Sequence, residues 1–112
     1  MNIGKRPLSP KECAKLLKAL AEEIRLQILQ CLFRGKHSVS EIAKELAEEH
    51  SKVSHHFGML RNTGLVVDKK EGKFVIYKIH PIIYKQFRGR YKNALDFKCC
   101  SIEFYNSRDK KS

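Results

Sequence analysis

The sequence predicts a mainly α winged helix-turn-helix: about five helices, a two-stranded wing, and dimerisation through the first and last helices. Three observations carry this. Within residues 51–66, Val53, Phe57 and Leu60 recur at i, i+4 and i+7 and make one apolar helical stripe. The opposite face is short and polar. Ser51, Lys52, Ser54 and His55 occupy its first two turns, as in a helix that enters a DNA major groove by its N-terminal end. A short helix over residues 38–48 precedes this segment, and a lysine-rich hairpin over residues 65–79 follows it.

Ser9, Pro10 and Glu12 form a helix start: serine caps, proline takes the first helical position, and glutamate sits three residues after the cap. Cys13, Leu16, Leu17 and Leu20 then make an i, i+3, i+4, i+7 stripe. A second helix is expected over residues 22–34, with Ile24, Ile28, Leu29, Leu32 and Phe33 as its core face and Gly35 as its end. Ser38 and Glu41 make another capping box, opening a third helix with Ile42, Ala43 and Leu46. Ser51 is placed to cap the fourth, and Gly64 closes it. Residues 65–70 and 74–79 are rich in β-branched and aromatic side chains and read as strands, with Glu71 and Gly72 between them. His80 and Pro81 open a last helix over residues 81–98, with a stripe through Ile83, Phe87, Tyr91, Ala94 and Leu95. Gly89 in its middle costs about 1 kcal/mol relative to alanine. Residues 107–112 read as a disordered basic tail after a single domain over residues 1–106.

Composition narrows the function classes. The chain has 112 residues, 42% apolar and 31% charged, with 23 Lys and Arg against 12 Asp and Glu and a net charge of +11. A small, strongly basic domain attracts polyanions, nucleic acid first and an anionic surface second. Helix three is locally acidic, whereas Lys69, Lys70 and Lys73 gather on the hairpin, where phosphate contacts are expected. No apolar segment follows the basic N-terminal residues and no run approaches a membrane span, so a cytoplasmic protein with reduced thiols and no membrane partner is expected. No nucleophile, base and orienting group come together in a local motif, and no glycine-rich phosphate loop occurs, so an enzyme is not expected. Helices one and five would pack on their copies in a homodimer, presenting two recognition helices to two operator half-sites.

The chain resembles the ArsR/SmtB winged-helix repressors. The likeness rests on KALAEEIRLQIL at 18–29, SVSEIAKEL at 38–46, VSHHF at 53–57, LRNTGLV at 60–66 and GKFVIY at 72–77, and extends over about residues 12–98. It implies a homodimeric repressor released from double-stranded operator DNA by a metal ion, a metalloid or a thiol oxidant. The family's sensor positions then matter one by one. Ser38, Val39, Ser40 and Glu41 stand where one arsenic site has Cys-Val-Cys-Asp. Tyr84, Gln86, Phe97 and Cys100 stand where a zinc site has its Asp, His, His and Glu ligands. A disulfide type uses a helix-two position occupied here by Gln30, one residue before Cys31. Cys99 and Cys100 resemble the Cys-Cys pair of some arsenic-responsive members, whose third cysteine is missing beyond residue 102.

The cysteines therefore carry the sensor expectation. Thiolates are soft ligands for thiophilic ions such as As(III). Neighbours on a helix diverge by about 100°, so Cys99 and Cys100 can share an ion only where the helix ends. Their alternative role is as small residues at a dimer interface. Cys13 is either a buried interface residue or a third ligand supplied across the dimer. Cys31, among Leu29, Leu32 and Phe33, reads as an inert core thiol. No cofactor is required, and As(III) is the candidate inducer. A thiol-oxidation or sulfide response, through a disulfide from Cys13 or Cys31 to Cys99 or Cys100, is the alternative. A winged helix that serves only as a protein-interaction module is a second one. His55 is expected to contact DNA, and His56, beside the apolar stripe, to be packed and hydrogen-bonded.

Overall fold

The computed structural model describes residues 7–86 and 92–105. In chain order its elements are α1 (Pro10–Leu20), α2 (Glu23–Leu32), β1 (His37–Ser38), α3 (Val39–Leu46), α4 (His50–Asn62), β2 (Val66–Glu71), β3 (Phe74–Ile79), β4 (Tyr84–Gln86), β5 (Lys92–Asp96) and β6 (Ser101–Tyr105). Both capping boxes form. The Ser9 hydroxyl accepts from the Glu12 N–H, the Glu12 carboxylate accepts from the Ser9 N–H, and Ser38 and Glu41 repeat the exchange.

Helix α4 starts two residues earlier than the sequence predicts. Glu49 occupies the cap without a side-chain bond, and Ser51 lies inside the first turn. Helix α3 stops at Leu46 because Ala47 adopts the left-handed conformation at φ 55°. The Glu48 N–H then returns to the Ala43 carbonyl and the Ala47 N–H to Lys44, which satisfies the helix end. This turn sets α3 against α4.

The core is built from Leu16, Ile28, Leu29, Ile42, Val53, Phe57, Leu60 and Leu65, all fully buried. The ring of Phe57 stacks on Tyr77 with centroids 4.3 Å apart, which fixes α4 against the wing. That wing is three-stranded rather than two-stranded, in the order β1-β3-β2, because residues 37–38 pair with Tyr77 and Ile76 before α3 begins. Glu71 pairs with Phe74 across a two-residue turn, and Gly72 supplies its φ of 63°.

The C-terminal third departs from the expected fifth helix. Its described residues form a second antiparallel sheet, in the order β4-β5-β6, so the described residues hold four α-helices and six strands. The physical reason lies in residues 101–105. Ile102 and Phe104 turn toward the core and Ser101, Glu103 and Tyr105 away from it, a period of two that needs a partner strand. Residues 92–96 supply that strand, with Asn93, Ala94 and Leu95 all buried as befits a central position. Ile83, Ala94 and Leu95 of the expected helical stripe are indeed buried, but from a turn and a strand. Phe87, Gly89 and Tyr91 lie outside the described residues, as does the expected tail at 107–112.

A dimer seam of first and last helices therefore cannot form as predicted. Helix α1 spends most of its stripe on its own chain, where Leu16 and Leu20 are buried, and leaves Leu17 exposed. The sheet docks on the end of α2. Phe33 packs between Tyr84 and Phe104, with centroids at 5.6 and 5.2 Å, and the Tyr84 hydroxyl donates to the buried Asn93 side chain at 2.8 Å.

Candidate nucleic-acid interface and thiol cluster

Helix α4 buries Val53, Phe57 and Leu60 and exposes Ser51, Lys52, Ser54 and His55. The four residues expected to read DNA thus share one open face. Lys52 is paired with Glu48 one turn earlier, at 3.1 Å. An exposed pair of this kind is worth about 0.3–0.5 kcal/mol, little hindrance to a phosphate competing for the ammonium.

His56 sits on the inner margin of the same helix. Its Nδ1 accepts from Arg25 Nε at 3.0 Å, and Arg25 Nη1 donates to the Ala19 carbonyl at 3.1 Å. Arg25 is itself buried. Burial pushes the His56 imidazole below its ordinary range, and the adjacent Arg25 guanidinium adds to that, so the ring stays neutral and can accept. Nothing in the sequence pattern points to Arg25, an arginine on the inner face of α2. It connects the C-terminal turn of α1 to α4.

On the wing, Lys69, Lys70 and Lys73 are all exposed. Lys69 and Lys70 are consecutive strand residues and so project to opposite faces of the hairpin. Lys73 lies in the tip turn, its Nζ 5.8 Å from the centre of the exposed Phe74 ring. The three lysines therefore ring the wing tip rather than forming one flat patch. Asp68 and Glu71 on the same strand pair with Arg61 and Lys36.

The second constellation is sulfur. Cys13 on α1 meets Cys99 and Cys100 in the turn between β5 and β6, with the three sulfurs within 4.8 Å of one another. All three residues are from the same chain, whereas the sequence expectation had Cys13 arriving across a dimer. Cys13 and Cys99 are joined by a disulfide, contrary to the expectation of reduced thiols, with Cα atoms 6.5 Å apart. The Cys100 sulfur lies 3.8 Å from each of the other two. The turn makes this arrangement. Phe97 is fully buried and anchors it, its N–H donates to the Cys100 carbonyl at 2.9 Å, Asp96 accepts from the Lys98 N–H at 3.0 Å, and Lys98 takes a φ of 75°. Adjacent cysteines in such a turn escape the divergence a helix would impose.

Cys31 does not join the cluster. It is buried between α2 and α3, its thiol donates to Glu45 at 3.4 Å, and Glu45 is held by Arg34. Burial, reinforced by the Glu45 carboxylate, pushes the thiol up to about 11. It is a neutral, packed thiol.

The family model of the bacterial regulatory proteins of the arsR family matches residues 22–67. The transcriptional activator HlyU of Vibrio cholerae is 38% identical over 79 residues, which cover 70% of this chain and 73% of that one. The chain belongs to the ArsR family. The arsenical resistance operon repressor of Escherichia coli (strain K12) is 39% identical over 70 residues, 62% of this chain and 60% of the repressor. The match thus spans less than two thirds of that repressor's length. The structure of Vibrio cholerae HlyU superposes with a TM-score of 0.59 at 40% identity, over 62% of this chain and 75% of its own. A homodimeric winged helix-turn-helix DNA-binding domain from Mycobacterium bovis gives 0.60 at 34% identity, over 62% and 65%. The winged helix-turn-helix is therefore shared. The family-model segment runs from the start of α2 into β2, so Cys13, Cys99 and Cys100 all lie outside it.

Proposed function

We propose that this chain is a homodimeric transcriptional repressor of the cytoplasm, released from its double-stranded operator when Cys13, Cys99 and Cys100 bind a thiophilic metalloid such as As(III). The single observation that carries the reading is the convergence of three thiols from two ends of the chain on one point. Sulfurs around one soft ion, at about 2.3 Å from it and near tetrahedral angles, lie about 3.8 Å apart. Cys100 stands 3.8 Å from both partners. Once the three are reduced, arsenous acid exchanges its three hydroxyls for three thiolate sulfurs and releases three waters.

The DNA side rests on the open polar face of α4 and on the wing lysines. Ser51, Lys52, Ser54 and His55 would read base edges and Lys69, Lys70 and Lys73 would hold phosphates on either side of the wing. Leu17 and Leu26, exposed on α1 and α2, supply apolar surface for a second copy. The Mycobacterium bovis relative is described as a homodimer, which favours the same assembly here. Coupling has a short mechanical route. An ion that moves Cys13 moves α1, whose Ala19 carbonyl holds Arg25, which holds His56 on α4. A 100-fold weakening of operator affinity requires about 2.7 kcal/mol of coupling, a small part of a three-thiolate affinity.

The experiment is an operator-binding titration with arsenite under reducing conditions. Wild type should release DNA, and the Cys99→Ser, Cys100→Ser double variant should bind operator normally and ignore arsenite. Continued release by the double variant would remove the thiol cluster from the mechanism. The Cys13–Cys99 disulfide favours a second reading, in which oxidation itself is the signal. Release of the reduced protein from DNA by an oxidant in the absence of arsenite would select it.

A further inference from the structure

A disulfide with a third thiol at its side need not be a fixed cross-link. We infer that Cys100 is the exchange thiol of the Cys13–Cys99 disulfide, so that oxidation gives two interconverting isomers, both tied through Cys13. The inference rests on the reading of these thiols as the sensor, and it adds that their redox state decides whether the sensor can bind a metalloid at all.

The geometry sets which exchange can occur. Cys100 is equidistant from the two bonded sulfurs, at 3.8 Å, and so lies beside the S–S bond rather than along it. A rotation about its Cα–Cβ bond is needed to bring it in line for displacement. Attack on the Cys13 sulfur forms a Cys13–Cys100 bond and expels Cys99 as a thiolate. Attack on the Cys99 sulfur would instead join neighbouring residues, a small ring that departs from the separation disulfides prefer. The productive route therefore keeps Cys13 as the common partner and passes the free thiol between Cys99 and Cys100. No oxidant is consumed, since one S–S bond forms as another breaks. The first bond is made by a low-molecular-weight disulfide: one protein thiolate takes up half of it, a second displaces that half, and two small thiols leave. Cys31 stays out, because it is buried and hydrogen-bonded to Glu45.

Two consequences follow. Helix α1 stays stapled to the β5–β6 turn whichever isomer is present. One thiol of the three remains, too few for a three-thiolate ion, so the oxidised chain is deaf to metalloid until reduced.

The test oxidises the reduced full chain with oxidised glutathione, traps remaining thiols with an alkylating agent and maps the links by mass spectrometry. Wild type should contain both Cys13–Cys99 and Cys13–Cys100. Cys99→Ser and Cys100→Ser should each still link to Cys13, at rates within about tenfold of each other, while Cys13→Ser should form no internal link and carry glutathione instead. A single isomer in wild type, which needs no variant to fold, or no link in Cys99→Ser, overturns the inference. Oxidised wild type should also need at least about tenfold more arsenite for half-release. Reduced protein that releases DNA on arsenite while showing one isomer would defeat exchange alone. Two isomers in a protein that ignores arsenite when reduced would uphold exchange and defeat the sensor reading.

Discussion

Alkylation of Cys31 in the folded, reduced protein should run at least about 100-fold slower than alkylation of an unperturbed thiol. The thiolate is the nucleophile, and burial holds Cys31 protonated, raising it from its ordinary 9.0 to about 11. Two pH units remove about 99% of the thiolate present at neutral pH, and burial against α3 slows attack further. The assay is an iodoacetamide pulse near neutral pH, read residue by residue by mass spectrometry, with the denatured chain as reference. The rate should rise about tenfold per pH unit without a plateau in the mildly alkaline range. Glu45→Gln should recover only part of the reactivity, because burial is the larger cause and the carboxylate the smaller. A Cys31 rate within tenfold of the denatured reference would refute the argument and return this thiol to the sensor set.

Removing the wing lysines one at a time should weaken binding on every DNA sequence alike, each loss lowering the salt dependence of log K by about 0.9; a change confined to one base preference would show that the wing reads bases. Stability should fall as pH drops below 6.5, the ordinary value for histidine. The folded state keeps His56 neutral, so protons favour the unfolded chain there, and the loss is complete once pH passes the depressed folded value. His56→Gln should flatten that interval in thermal melts, and an unchanged slope would place the titration elsewhere. Ala47→Gly should stabilise the fold by up to about 1 kcal/mol, because the left-handed cap of α3 costs alanine more than glycine loses in unfolded freedom; a destabilised variant in a denaturant series would contradict this.

Local signals carried most of the helix-turn-helix. The Ser9 and Ser38 capping boxes, the Val53, Phe57, Leu60 stripe and the β-branched and aromatic run through 74–79 are each decided within a few residues, and each appears in the fold. The fifth helix failed for a non-local reason. Ile83, Ala94 and Leu95 fit a helical stripe, but the alternating Ile102 and Phe104 recruit residues 92–96 as a partner strand, and periodicity within one segment does not register such pairing. The thiol cluster was half legible. Cys99 and Cys100 stood out as neighbours, but bringing Cys13 to them within one chain required the turn anchored by Phe97. Arg25 carried no signal, because its role comes from contacts with Ala19 and His56, 6 and 31 residues away.

The most direct measurement is arsenic K-edge absorption on the reduced full chain with one equivalent of arsenite. Three sulfur neighbours are expected for each arsenic, with one arsenic per chain and one sulfur fewer in Cys13→Ser, because Cys13, Cys99 and Cys100 meet within a single chain. An arsenic with two sulfur neighbours in wild type, or three retained in Cys13→Ser, would contradict it.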